Sequence, residues 1–148
     1  MDEIANCVGP ALGRHQHAHH RYIHPKMRAL GIFRGQSFVL FKLLEFLGVS
    51  QVDLARHVHV QPPTLARTLT RLQETGFVAR EVDPEDHRIN RLSLTDQGET
   101  VVEKLKAVRD MEKREVFSVL SAKEQKQLCS LLDRISDRYE SMVAESKE

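Results

Sequence analysis

A mainly α fold with one small β-hairpin is what this sequence predicts, and three observations predict it. Chain breakers are sparse, with 7 glycines and 5 prolines in 148 residues. Apolar residues recur at three- and four-residue steps along most of the chain, the period of a helix with one buried face. Only residues 77–94 depart from that period, with β-branched and aromatic residues flanking a turn cluster. The length suffices to bury a core without disulfides or structural metal. Cys7 and Cys129 make no disulfide framework and fit a reducing compartment.

Residues 10–24 read as the first helix, with Pro10 at a first helical position and Pro25 expected to kink or end it. Leu30-Gly31 is a plausible stop. A second helix is expected from about Arg34 to Leu47, with Phe38, Phe41, Leu44 and Leu47 at three-residue steps and Leu40, Leu43 and Phe46 widening the face. A helix so apolar should be central to the core. Gly48 ends it, and Ser50-Gln51-Val52-Asp53 has the capping-box pattern that opens a short third helix to about Val58. Val60-Gln61-Pro62-Pro63 is a turn, its second proline placed to open a fourth helix that ends near Thr75, with Gly76 as its stop.

The hairpin pairs residues 77–82 with 89–94 across Asp83-Pro84-Glu85-Asp86, and is the one convincing β region. Thr95 then caps a helix expected to reach Leu120, carrying Val101, Val102, Leu105, Val108, Val116 and Phe117. Ser121-Ala122-Lys123-Glu124 is a second capping box. The last helix carries Leu128, Leu131, Leu132, Ile135, Tyr139 and Met142 at near-heptad spacing. A short helix, a tight turn, a second helix and a hairpin together describe a winged helix-turn-helix. The long terminal helices exceed what such a lobe needs, and their stripes are most simply covered by a second copy, giving a two-fold dimer.

The net charge of +1 excludes an indiscriminately basic nucleic-acid binder but not a charge-segregated one. Residues 51–91 carry six basic and six acidic side chains, yet no acid occurs between Asp53 and Glu74, where Arg56, Arg67 and Arg71 do. On the fourth helix Leu65, Leu69 and Leu72 share one side, while Thr64, Arg67, Thr68 and Arg71 share another, about 120° away. An arginine fork can read guanine O6 and N7, and threonine offers a hydroxyl and a methyl to base edges. The helix N-terminus is expected to offer free N–H groups to a phosphate. The wing tip, Asp83-Pro84-Glu85-Asp86-His87-Arg88, has too many acids for a simple basic wing. One arginine held by a carboxylate can still enter a narrow minor groove.

Residues 50–98 resemble the core of the MarR/SlyA family of bacterial transcription regulators. The matching stretches are Val52-Asp53-Leu54-Ala55, Leu65-Ala66-Arg67-Thr68-Leu69, Gly76-Phe77-Val78, Asp83-Pro84-Glu85-Asp86-His87-Arg88 and Leu92-Ser93-Leu94-Thr95-Asp96-Gln97-Gly98. The resemblance extends over nearly the whole chain. It implies a single domain over 1–148, with dimerisation helices at 1–30 and 100–148 around a winged helix-turn-helix lobe at 34–98. It also implies a homodimer on double-stranded DNA at a palindromic operator, with recognition helix 62–75 in the major groove and wing 77–94 in the minor groove. The DNA-contact set is Gln61, Thr64, Arg67, Thr68, Arg71, Asp86, His87 and Arg88. Within it, the family's Asp-x-Arg motif falls on Asp86 and Arg88, and His87 stands where the family commonly has a second arginine. The implied protein is a ligand-responsive repressor whose effectors are small aromatic or phenolic anions. Phe33, Phe38 and Phe41 could line such a pocket, with core packing as the favoured role.

His15, His17, His19, His20 and His24 crowd the first helix, with His17, His20 and His24 on one face and His15 and His19 paired on another. Such pairs can bind a divalent metal. The favoured reading is a histidine-rich helix packed at a dimer interface, with no metal and no cofactor. Cys7 lacks a visible neighbour that would activate it, and Cys129 beside the last stripe reads as core or interface packing. The alternatives are a metal- or redox-sensing regulator using this cluster or Cys7, or a winged-helix protein-interaction module without DNA binding. No phosphate loop, nucleophile elbow or His-Glu-x-x-His motif points to an enzyme. Met1-Asp2-Glu3 with no apolar run behind it predicts no signal peptide, and no run is long enough for a membrane. A cytoplasmic protein is expected.

Overall fold

The computed structural model describes residues 5–146, so the acidic opening Met1-Asp2-Glu3 lies outside the described residues. The element order is α1 (Ala5–Ala29), α2 (Gln36–Glu45), β1 (Val49–Ser50), α3 (Gln51–Val58) and α4 (Pro62–Glu74), followed by β2 (Val78–Val82), β3 (Asn90–Leu94) and α5 (Asp96–Glu115). A single 3-10 turn (Phe117–Val119) then leads to α6 (Ala122–Glu145). The chain divides into two compact units between Ala107 and Val108. Among the described residues no helix is long and apolar enough to cross a membrane.

The first unit holds the core. Val39, Leu40 and Leu43 of α2, Leu54 and Val58 of α3, and Leu65, Leu69 and Leu72 of α4 are buried together with Leu92 of β3 and Val101, Val102 and Leu105 of α5. The sheet is antiparallel in the order β1-β3-β2, with Val49 opposite Leu92 and Val78 opposite Leu94. Three connections fix how the wing meets α4 and α5. The Thr95 amide donates to the Phe77 carbonyl at 3.1 Å. The Thr95 hydroxyl donates to the Gly76 carbonyl, and its oxygen accepts the Gly98 amide at 3.0 Å. A β-carbon at Gly98 would collide with the Phe77 carbonyl oxygen, so the close approach of α5 to the wing requires glycine there.

Several boundaries differ from expectation. α1 starts at Ala5 and runs through both Pro10 and Pro25 to Ala29, because each proline costs one amide and the rest of the ladder carries the helix across. α2 is shorter than 34–47, and Phe38 and Leu47 are exposed; Leu40 and Leu43 are buried as expected, joined by Val39, which was not expected. α4 opens on Pro62, one residue before the proline expected to start it. α5 stops at Glu115, so Val116 and Phe117 fall outside it and are exposed. The hairpin is joined by a third strand that the sequence reading missed, β1, formed where Val49 and Ser50 pair with Leu92 and Arg91.

The second unit is amphipathic without a core of its own. The Ser121 capping box at the start of α6 is complete, its hydroxyl oxygen accepting the Glu124 amide while the Glu124 carboxylate takes the Ser121 amide at 2.8 Å. The Ser121 hydroxyl, which donates to the Glu124 carboxylate at 2.7 Å, and then the Ser121 amide hold the Glu124 carboxyl below its ordinary value. No residue of α6 is buried, and Leu128, Leu131, Leu132, Tyr139 and Met142 are all substantially exposed.

Candidate nucleic-acid interface

α3 and α4 are joined by three residues, His59 to Gln61. Ser50 caps α3 by accepting the Asp53 amide at 3.1 Å, while its hydroxyl donates to the Asp53 carboxylate at 2.7 Å. The expected box is therefore half-formed, with the carboxylate serving the hydroxyl and Arg56 rather than a backbone amide. His59 ends α3 in the left-handed region at φ 50°. That turn sets α4 so that Leu65, Leu69 and Leu72 are wholly buried and the opposite side is open to solvent.

On that open side lie Thr64, Arg67 and Arg71, all exposed, with Thr68 half-buried beside them and Gln61 exposed at the N-cap. The Thr68 hydroxyl donates to the Thr64 carbonyl at 3.0 Å, which uses its proton and leaves its oxygen able to accept. Arg67 and Arg71 have no ion-pair partner among the described residues. Elsewhere in the lobe Arg56 is bonded to Asp53, Arg80 to Gln51, Arg88 to Asp86 and Arg91 to Asp83. Of the six arginines in residues 51–91, the two on α4 are thus the ones whose guanidiniums make no hydrogen bond among the described residues.

The expected phosphate cradle at the start of α4 is absent. Pro62 and Pro63 have no N–H, and the Thr64 and Leu65 amides both donate to the Gln61 carbonyl, at 3.0 and 3.1 Å. Backbone donors there are used within the turn, so anion contact on this face rests on side chains.

The wing tip resolves the problem of its own acids. Asp83 is buried; one carboxylate oxygen accepts the amides of Glu85 and Asp86 at 2.8 and 3.0 Å, and the other accepts Arg91 Nε at 2.6 Å. The Arg91 guanidinium, then these two amides, hold the Asp83 carboxyl below its ordinary value. Arg91 also donates to the Gly48 carbonyl at 3.3 Å, tying the wing to the turn before β1. Asp86 accepts the Arg88 amide at 3.0 Å and Arg88 Nε at 3.1 Å, so its carboxyl is lowered too. The Arg88 side chain remains 91% exposed while it is held. Two of the three acids are therefore neutralised in place, and the tip presents Glu85, His87 and Arg88 to solvent. The Asp86–Arg88 pair stands where the sequence pattern puts it. The Asp83–Arg91 pair was missed, although the Asp-Pro pair opening a turn is a signal for such a side-chain cap.

The MarR family model matches residues 33–89, from the start of α2 to the wing tip. The PcaV transcriptional regulator from Streptomyces coelicolor, solved in complex with its natural ligand, is 28% identical over 93% of this chain and 96% of its own, with a TM-score of 0.75. In sequence over residues 33–89 and in overall fold, the chain is similar to the MarR family. MarR itself is 28% identical, covers 98% of each chain and superposes with a TM-score of 0.73. The S. aureus MepR–DNA complex shares the fold at 23% identity, over 88% of this chain and 97% of that one, with a TM-score of 0.80. The fold is that of the MarR-family DNA-binding transcription regulators, a class of regulators rather than enzymes.

The remaining candidates are dispersed. Phe33 and Phe38 are about half exposed, so core packing is not their role in this chain; Phe41 alone packs against the core. Phe33 instead lines an open groove of about 600 Å³ with Met27, Arg34 and His17, His19, His20 and His24 of α1. Among the described residues no three His, Cys, Asp or Glu side chains are grouped closely enough to hold a metal together. Cys7 and Cys129 are both exposed, so Cys129 does not pack in a core of its own chain.

Proposed function

We propose that this chain is a MarR-type regulator, a cytoplasmic homodimeric repressor that binds a palindromic operator. Thr64, Arg67, Thr68 and Arg71, with Gln61 at the helix start, read the major groove, and Arg88, oriented by Asp86 beside His87, enters the flanking minor groove. The observation that carries this is the unspent pair Arg67 and Arg71 on the exposed face of a helix whose other face is locked into the core. A fork with free donors can engage a guanine edge, whereas one already paired to a carboxylate must first give up that bond. The exposed stripe of α6 supports the dimer, in which terminal helices 1–30 and 100–148 are covered by a second copy.

A small aromatic or phenolic anion is the proposed effector, its ring against Phe33 and Met27 and its charge toward Arg34 in the α1–α2 groove. It acts by binding one dimer geometry better than another, so that the two recognition helices no longer match the operator. Fluorescence anisotropy of labelled duplex DNA against salt tests the reading. Affinity should fall steeply with salt, because neutralised phosphates release counterions. Binding to no duplex at low salt would favour a protein-interaction module instead.

A further inference from the structure

We propose that His20 and His24 form a two-point clip for a late divalent transition-metal ion, Cu²⁺ most tightly and Ni²⁺ and Zn²⁺ less so. The two residues stand one helical turn apart on α1, both exposed in the single chain and lining the α1–α2 groove, and their ring centroids are 4.8 Å apart. Two imidazoles on one ion, each with a metal–nitrogen bond of about 2.0–2.1 Å and a bite between square and tetrahedral, bring their centroids to about 4.5–5.2 Å. The pair already has that separation. His15 and His19, spaced identically in sequence, stand at 6.1 Å, outside the range. Neither His20 nor His24 has a hydrogen bond or ion pair among the described residues, so nothing competes for their nitrogens except the contact between the rings.

Two nitrogens and, among the described residues, no third ligand grouped with them make an open site rather than a closed structural one. Imidazole donors select copper, nickel and zinc over magnesium and calcium, which prefer oxygen. The remaining positions face a groove lined also by Gln16, His17 and Ser37, where water or a small anion can complete the shell. The clip spans the turn in which Pro25 withholds an amide from the Arg21 carbonyl. A bound ion therefore cross-links the helix where its hydrogen-bond ladder is interrupted, and α1 gains helical stability on loading.

Calorimetric titration of the untagged full chain with Cu²⁺, Ni²⁺ and Zn²⁺, in a weakly coordinating buffer with excess Mg²⁺, tests this. Wild type should take up one ion per chain, tightest for Cu²⁺, with a rise in its thermal transition. The His20→Gln/His24→Gln double variant should bind about 10-fold or more weakly, whereas His15→Gln/His19→Gln should bind within about 2-fold of wild type. Electron paramagnetic resonance of the Cu²⁺-loaded wild type, which needs no variant to fold, should show two nitrogen ligands. No stoichiometric uptake, a His20/His24 variant that binds like wild type, equal loss in both double variants, or a signal without two nitrogens would each overturn the clip.

Discussion

α4 and α6 are both amphipathic helices with leucines at helical spacing, yet they differ in what covers those leucines. Leu65, Leu69 and Leu72 of α4 are wholly buried by their own chain, while Leu128, Leu131 and Leu132 of α6 remain 38–44% exposed. The polar faces differ as well. α4 leaves Arg67 and Arg71 unpaired, whereas α6 opens on a satisfied capping box and carries both signs of charge. An apolar stripe therefore says that a helix has a partner, not where the partner is. α4 spends its stripe on being held still, which leaves its other face open to solvent. α6 keeps its stripe for another surface, and a second copy of the chain is the proposed one.

The largest way to break that contrast is to charge the α6 stripe. Leu131→Glu with Leu132→Glu should abolish self-association in sedimentation, leave the core lobe folded, and weaken operator binding about 100-fold or more, since two linked half-sites become one. A variant that sediments like wild type would remove the dimer from α6. Next in size, Arg67→Ala and Arg71→Ala should each cost about 1–3 kcal/mol of operator affinity, about 5- to 150-fold, and relax the base preference at one position. Unchanged affinity and preference for both would take α4 out of the groove. Smaller still, Arg88→Ala should weaken binding across sequences and flatten its salt dependence by about one unit, with thermal stability unaltered. An unaltered salt slope would place the wing away from the DNA.

The smallest expected effect concerns pH. Asp83 is held below its ordinary value by Arg91 and by two loop amides, so its contribution to wing order is present above the unfolded-state value and is lost as pH falls through the lowered one. Followed by NMR, the Glu85 and Asp86 amides should therefore stay fixed down to about pH 4 and shift only below it. Asp83→Asn should remove that transition; a midpoint above the ordinary carboxylate range would contradict the bonding described for the tip.

Much of the lobe was legible because its signals are local. The two faces of α4 follow from leucines at i, i+4 and i+7, and the Ser121 box and the Asp86–Arg88 pair each lie within three residues. What was not legible depends on distant partners. β1 is two residues long and is a strand only because Leu92 and Arg91, over forty residues on, offer a ladder. The Asp83–Arg91 bond depends on the hairpin register that brings residue 91 back beside the turn. Which of the α2 side chains are buried depended on what packs above them, and three-residue spacing singled out Phe38 and Leu47 while passing over Val39. The free N–H groups expected at the start of α4 were lost to the two prolines and to the Gln61 carbonyl.

Selection of duplex sites from a random pool by the full chain tests the central claim most directly. The account predicts enrichment of an inverted repeat whose half-site centres lie about one helical turn, 10–10.5 base pairs, or a multiple of that apart. It further predicts that Arg67→Ala and Arg71→Ala lose the base preference within each half. Enrichment of no sequence, or of a single half-site bound equally well by both variants, would contradict a dimer reading DNA through α4.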